Sequence, residues 1–461
     1  MQRNQTQRKS RTELDMLHGS LWDKVLLFAI PLACTGILQQ LFNAADVAVI
    51  GRFAGKTAMA AVGSNSPIIG LAVNLFIGIS LGANVVIATF TGQRRWEDIH
   101  RAVHTALLVS VLCGLLVTLV GELAAAPLLR LLAVPDEVMD MALLYLRVYL
   151  AGMPVILLYN FESAIFRSQG DTRTPLICLT ISGVLNVGLN LFFVIRCGMT
   201  VEGVALATVI SNAVSGLLLF LVLLHSKSEI RVRFSEFRID PRLLGSMLRI
   251  GMPAGLQGAV FSLSNILVQS AINSLGKDVM AGSAAAFNVE ILAFFLINSF
   301  GQATTTFVGQ NHGARQQERC RRVTRITLGM GIGAAILFAL CILPFSHPIL
   351  SLFNTDSAII AIGALRLRFI ILPESVNVVM EVMSGNMRGY GRSLVPALIT
   401  LAGVCGVRIT WVLTVFPAHP TFPTLLACYP ISWVLTAGSL VIAYFVLQWK
   451  LRQADGPNVT I

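Results

Sequence analysis

Apolar residues run through most of this chain in blocks of about twenty or more, broken by short polar stretches. Blocks of that length match the hydrocarbon thickness of a bilayer, not the core of a soluble domain. The pattern predicts twelve membrane-spanning helices. Six lie at about 25–50, 59–90, 102–124, 139–166, 175–196 and 203–225, and six at about 245–273, 279–308, 322–345, 358–387, 394–416 and 423–449. Several exceed the minimum length, and Pro31, Pro67, Pro154, Pro253 and Pro373 fall inside them, so tilts or kinks are expected.

The pattern is written twice. Pro31 is answered by Pro253, and Gly55-Lys56 by Gly276-Lys277. Phe90-Thr91-Gly92-Gln93 returns as Phe307-Val308-Gly309-Gln310, and Arg167, Gly170 and Pro175 return as Arg388, Gly391 and Pro396. Six spans per half is an even number, so both halves start on the same side and the repeat is parallel. Duplicated bundles of this kind can rock about a shared site near the bilayer midplane. The predicted fold is all-α and polytopic: an N-terminal lobe over 1–225, a linker over 226–242 and a C-terminal lobe over 243–461.

Composition agrees with a membrane solvent. Hydrophobic residues make up 55% of the chain and charged residues 12%, against about 25% charged in soluble proteins. The net charge of +11 sits in connections between spans, so it predicts orientation and no nucleic-acid partner. One side, with both tails, carries about 25 lysines and arginines; the other carries about five (Arg52, Lys56, Arg130, Arg196, Lys277). Both termini and the linker are therefore expected in the cytoplasm, in the plasma (inner) membrane. The basic arm (Arg3, Arg8, Lys9, Arg11) leads into a first apolar segment without a small-x-small cleavage site, so no cleavable signal peptide is expected. The eight cysteines form no CxxC pair. Cys34, Cys113, Cys178, Cys341, Cys405 and Cys428 read as small helix residues.

Charge at the centre of a spanning helix costs about 2.5–3.5 kcal/mol on insertion scales, so polar residues there are informative. Gln39, Asn43 and Asp46 share one face of the first span. Glu374, Asn377, Glu381 and Ser384 form a stripe on the tenth, and Asn265, Gln269 and Asn273 one on the seventh. The fifth span offers Asn186 and Asn190, one turn apart. Glu290 lies in the eighth span and Glu162 near the inner end of the fourth. Arg408 is the one basic residue expected deep inside; Arg147, Arg366 and Arg368 should snorkel at outer ends. A cavity lined by carboxylates and amides favours a cation. Two alternatives stay open: Glu162 or Glu381 could pair with an arginine at the cytoplasmic rim, and Arg408 could neutralise one acid.

Three near-motifs carry no chemistry. Gly51 to Thr57 is one residue short of a phosphate loop and follows a membrane helix. Gly78-Ile79-Ser80-Leu81-Gly82 matches a nucleophile elbow, yet lies in an apolar helix. The seven histidines stand at span ends or in loops, so no intramembrane Ser-His pair or proton relay is expected. No catalytic set, resident cofactor or ATP-binding segment is expected, so uphill transport must draw on an ion gradient. A membrane enzyme lacks a nucleophile, base or metal set within the spans. A passive channel is disfavoured because the duplicated lobes repeat no filter-like loop.

Pro31 to Gly55 closely resembles the first helix of MATE (multidrug and toxic compound extrusion) transporters, of a bacterial type. So do Leu158-Tyr159-Asn160-Phe161, Phe166-Arg167-Ser168-Gln169-Gly170-Asp171-Thr172 and Phe307-Val308-Gly309-Gln310-Asn311. The resemblance implies two lobes around a central cleft that opens alternately to each side. It implies export of small organic cations in exchange for Na⁺ or H⁺, by a protein expected to be a monomer. Carried over, the ion-coupling positions are Asp46, Asn186, Asn190 and Thr208, with Asp46 holding Na⁺ if that is the coupling ion. Asn190 stands where some members have a second carboxylate, which leaves Asp46 as the lone acid of that set. The family's acid in the eighth span falls on Glu290. The substrate cleft is expected to involve Gln39, Asn43, Asn265, Gln269, Glu290, Glu374 and Asn377. Depth agrees: Asp46 and Asn190 come late in outward-going helices and Thr208 early in an inward-going one. Carboxylate, amide and hydroxyl oxygens suit Na⁺, and the same Asp could bind a proton. The wider superfamily also suggests a flippase for lipid-linked oligosaccharides, whose pyrophosphates call for an Arg/Lys-lined cavity.

Overall fold

The computed structural model describes residues 13–132 and 134–454; the basic arm residues Arg3, Arg8, Lys9 and Arg11 lie outside this range. Every regular element among the described residues is helical. The helices are α1 (Trp22–Phe53), α2 (Lys56–Gln93), α3 (Trp96–Leu131), α4 (Asp136–Ala151), α5 (Met153–Ser168), α6 (Arg173–Leu191), α7 (Val201–His225) and α8 (Pro241–Ser274). They continue with α9 (Lys277–Gly313), α10 (Gln317–Ile342), α11 (Ser346–Ser351), α12 (Ser357–Ile371), α13 (Glu374–Gly389), α14 (Leu394–Thr400), α15 (Val407–Ala418), α16 (Phe422–Leu426) and α17 (Cys428–Ala454).

Each of the twelve apolar blocks lies on a helix or a broken helix. Among the described residues, nine helical stretches are long and apolar enough to cross a membrane, and α4 with α5 makes a tenth, bent by 49°. The remaining two blocks fall on α8 and on α12 with α13. The prolines act unequally. Pro154 starts α5 after the bend at Gly152, and Pro373 stands between α12 and α13. Pro31, Pro67 and Pro253 lie inside helices that run on past them. The fifth and eleventh blocks each contain a π-helical turn, Phe192–Arg196 and Leu401–Gly406.

The duplication is visible in the backbone. Gly55 and Gly276 both take positive φ, 92° and 104°, just before α2 and α9. Gly170 (86°) and Gly391 (73°) do so in the loops that follow α5 and α13. Only a residue without Cβ adopts these values cheaply. In the first repeat the next residue, Asp171, completes the turn. Its carboxylate accepts the amides of Arg173 and Thr174 (both 3.0 Å) and the Thr174 hydroxyl (2.6 Å), satisfying donors at the start of α6.

The chain divides into two compact units whose boundaries differ from the expected 226–242 linker. Among the described residues, one comprises 13–19 and 34–255, the other 20–33 and 256–454, so α1 and α8 each contribute to both. In the first unit the amino-terminal half of α8 lies against α2 through glycines. A Cβ on Gly78 would stand 2.1 Å from the Gly255 backbone, and one on Gly82 would stand 2.1 Å from the Met247 carbonyl oxygen. The apparent nucleophile elbow is thus a helix-crossing surface, where small residues let backbones approach. In the second unit α9 packs along α12, α13 and α10. There a Cβ on Gly385 would meet the Gly301 carbonyl oxygen at 2.3 Å.

The linker is clipped to α3, within the first unit. His104 Nδ1 donates to the His100 carbonyl (2.7 Å), which leaves Nε2 to accept from the Arg233 amide (3.0 Å). Asp240 donates its amide to Thr105 Oγ1 (3.1 Å), and His100 Nε2 lies 2.6 Å from Glu236.

Candidate functional site

Asp46 sits seven residues before the end of α1 and is 6% exposed. Around it the first unit assembles polar groups from two other helices. Asn190 of α6 donates Nδ2 to Asp46 Oδ1 at 2.5 Å, and its second amide proton reaches Asn186 Oδ1 at 3.2 Å. Thr208 Oγ1 of α7 lies 3.1 Å from Asp46 Oδ2 and 3.0 Å from the Val204 carbonyl, so its single proton serves one acceptor at a time. Tyr145 and Tyr149 of α4, stacked with centroids 6.2 Å apart, lie within electrostatic reach of Asp46.

Local packing sets this register. Phe42, one turn before Asp46, lies over Gly183, one turn before Asn186. A Cβ on Gly183 would stand 1.8 Å from the Phe42 ring. The missing side chain lets α1 approach α6 closely enough for the Asp46–Asn190 hydrogen bond.

The donor set fits a small hard cation. Asp46 supplies a carboxylate, and Thr208 and Asn186 supply neutral oxygens. Asn190 Oδ1 is buried with no hydrogen-bond partner among the described residues. An orphaned carbonyl oxygen beside a carboxylate has the chemistry of an oxygen ligand for a monovalent cation. The structure therefore brings together the four residues Asp46, Asn186, Asn190 and Thr208.

The expected substrate residues do not form one hydrogen-bonded group. In the first unit Gln39 is half-buried and Asn43 exposed on α1. In the second unit Gln269 donates to Asn273 (2.8 Å), both on α8, and Asn377 donates to Glu374 (3.2 Å), both on α13. Glu290, expected at the substrate cleft, is held in an ion pair. Arg366 grips it with two parallel hydrogen bonds, Nε to Oε1 at 2.7 Å and Nη2 to Oε2 at 2.9 Å, while Nη1 reaches Ser283 Oγ at 2.5 Å. Arg366 does not snorkel; it is 4% exposed, because its charge is satisfied in place by Glu290.

Arg408 is buried deep in its helix, as expected. Among the described residues no carboxylate lies within ion-pair distance of it. Its guanidinium donates to Asn265 Oδ1 (3.3 Å) and Ser432 Oγ (3.4 Å) and lies 4.3 Å from the Tyr429 ring centroid. Glu162, read as a possible rim ion pair, has no hydrogen-bond partner for either carboxyl oxygen among the described residues. Glu381 packs over Gly301. Arg366–Glu290 and the two tyrosines escaped sequence reading because they meet only through tertiary packing.

A second cluster could be read as a metal centre: ligand atoms of His100, His104 and Glu236 lie within 4.8 Å of one another. Both His104 nitrogens are spent on backbone groups, however, and the Arg233 guanidinium bonds Glu236 at 3.0 Å, so a cation there would face competition and repulsion.

The comparisons with known proteins cover nearly the whole chain. The family model MatE matches twice, over residues 31–192 and 253–413, one match per repeat. A curated relative from Bacillus subtilis (strain 168), "Probable multidrug resistance protein YoeA", is 28% identical over 460 residues, 97% of each chain. "Probable multidrug resistance protein NorM" from Thermotoga maritima is 26% identical, covering 84% of each. A solved outward-facing multidrug resistance MATE family transporter of the MOP superfamily superposes with TM-score 0.89 at 22% identity, covering 96% of this chain and 100% of that one. The fold is thus the two-lobe MATE fold, and the protein is a multi-pass membrane protein. With both repeats matched across well over half its length, this chain belongs to the MatE family of membrane transporters.

Proposed function

We propose that this protein is a secondary active exporter of small organic cations, driven by antiport with Na⁺ or H⁺ through alternating access. The observation that carries the reading is the Asp46–Asn190–Thr208 group: one buried carboxylate on the first span, held by the Asn190 amide of α6 and the Thr208 hydroxyl of α7. Substrate enters from the cytoplasm or inner leaflet while the protein opens inward. After the change of access, an external cation occupies Asp46, α1 repacks against α6, and the substrate site weakens. The coupling arises because one negative charge cannot favour both cations fully, so ion and substrate must differ in affinity for the two states. Relatives named as multidrug resistance proteins support drug export and do not favour the flippase alternative.

The test is efflux of a fluorescent organic cation from proteoliposomes under an imposed Na⁺ or proton gradient, one at a time. One gradient should drive efflux in the native protein and fail to do so in Asp46→Asn. Efflux in Asp46→Asn at the native rate would refute the mechanism.

A further inference from the structure

The acid that the Asp46 mechanism leaves unused is Glu162. It is 0% exposed, on α5, and neither carboxyl oxygen has a hydrogen-bond partner among the described residues. Its Oε2 points at α7, 3.7 Å from where a Cβ on Gly216 would stand. On the same helix the Tyr159 and Ser163 hydroxyls are also buried, close enough to interact with each other and not bonded to the Glu162 carboxyl. A bare carboxylate there is costly unless a cation accompanies it.

The two acids of the first unit are linked along α7. Thr208 touches Asp46, and Gly216 faces Glu162, eight residues or about 12 Å further along the helix. Between them Ser211, Asn212 and Ser215 continue a polar stripe through an otherwise apolar span. Ser211 and Ser215 donate their protons to the Ala207 and Asn212 carbonyls (2.7 and 3.0 Å), which leaves their oxygen lone pairs as acceptors. Asp46 lies late in α1 and Glu162 late in α5; with α4 and α5 making one bent span these helices run in opposite directions, so the two acids are displaced toward opposite sides of the unit. The fold itself does not demand the acid. Arg167 repeats as Arg388, 221 residues on, and the same step carries Glu162 to Met383.

We propose that Glu162 is a second station for the coupling cation, H⁺ or Na⁺, at the cytoplasmic end of a polar path that starts at Asp46. This rests on the antiport reading above and adds where the ion leaves. Other ionisable groups nearby are Tyr159 and Arg167 on α5 and Cys178 on α6, which lies within electrostatic reach of Glu162. Among the described residues none of them, and no charged group of α2, α3 or α7, stands within ion-pair distance of the carboxyl.

Cation binding to the purified full-length protein tests this without transport. Radioactive Na⁺ binding at fixed pH and acid–base titration without Na⁺ count the ions held by native protein, Asp46→Asn, Glu162→Gln and the double variant. The proposal expects each single variant to hold one cation fewer than native and the double variant two fewer, with the arm that responds identifying the ion. An unchanged count in Glu162→Gln overturns it, while loss in Asp46→Asn alone leaves the antiport reading standing. An unchanged count in Asp46→Asn would instead count against that reading. Should Glu162→Gln not fold, the native protein still decides. Dicyclohexylcarbodiimide, which modifies cation-binding carboxyls in apolar surroundings, should label Glu162 in peptide mass maps, with Na⁺ protecting it if Na⁺ is the ion. Absence of that adduct overturns the proposal.

Discussion

Asn190 and Asp46, 144 residues apart in sequence, meet through a hydrogen bond of 2.5 Å between amide and carboxylate. A hydrogen bond to a charged group contributes about 1.5–3 kcal/mol, so Asn190→Ala should change the half-saturating concentration of the driving cation roughly tenfold to a hundredfold. The checking measurement is efflux rate against cation concentration. Asn190→Asp adds a second carboxylate and should tighten cation dependence, leaving the two variants on opposite sides of the native protein.

The approach of α1 to α6 depends on Gly183. Gly183→Ala places a Cβ against the Phe42 ring, while Gly188→Ala on the same helix meets nothing within 4 Å. Gly183→Ala should lose coupled efflux and Gly188→Ala should keep it. Phe42→Leu, which vacates the ring, should partly restore transport to Gly183→Ala.

Arg366 and Glu290 form a buried ion pair, so removing one partner strands the other charge. Glu290→Gln or Arg366→Met should each destabilise the protein by about 3–5 kcal/mol, and the double variant by clearly less than their sum. Unfolding in detergent under denaturant checks the order. Additive losses would show that the pair does not act as one unit.

The linker clip makes a prediction about access. His104→Ala removes both hydrogen bonds that hold the His100 and Arg233 backbone, so trypsin should cut at Arg231, Arg233 or Arg238 sooner than in native protein. Glu236 adds a pH dependence. The Arg233 hydrogen bond, with the nearby histidines, holds its carboxyl below the usual carboxylate range. A depressed carboxyl contributes stability above its unfolded value, about 4.3, and loses it as pH falls through the folded one. Hydrogen exchange of the linker, corrected for intrinsic rates, should therefore rise only in the acid range.

The spans were legible because a bilayer demands long apolar blocks, and the repeat because Gly55/Gly276 and Gly170/Gly391 carry backbone conformations that glycine favours. Asp46 stood out as a charge in an apolar helix. Its union with Asn186, Asn190 and Thr208 needed the family resemblance, since nothing local ties helices so far apart in sequence. Arg366 misled for a physical reason. Near a span end an arginine can reach water, and only a partner 76 residues away, Glu290, decides that it turns inward. Unit boundaries within α1 and α8 were hidden because a continuous helix gives no break in composition where its packing partners change.

The most direct test of the central claim is the affinity of the purified protein for a transported fluorescent cation, measured at increasing Na⁺ and, separately, at decreasing pH. The account predicts that one ion weakens substrate binding in native protein and that Asp46→Asn makes binding independent of it. The same ion dependence in Asp46→Asn as in the native protein would contradict exchange at this carboxylate.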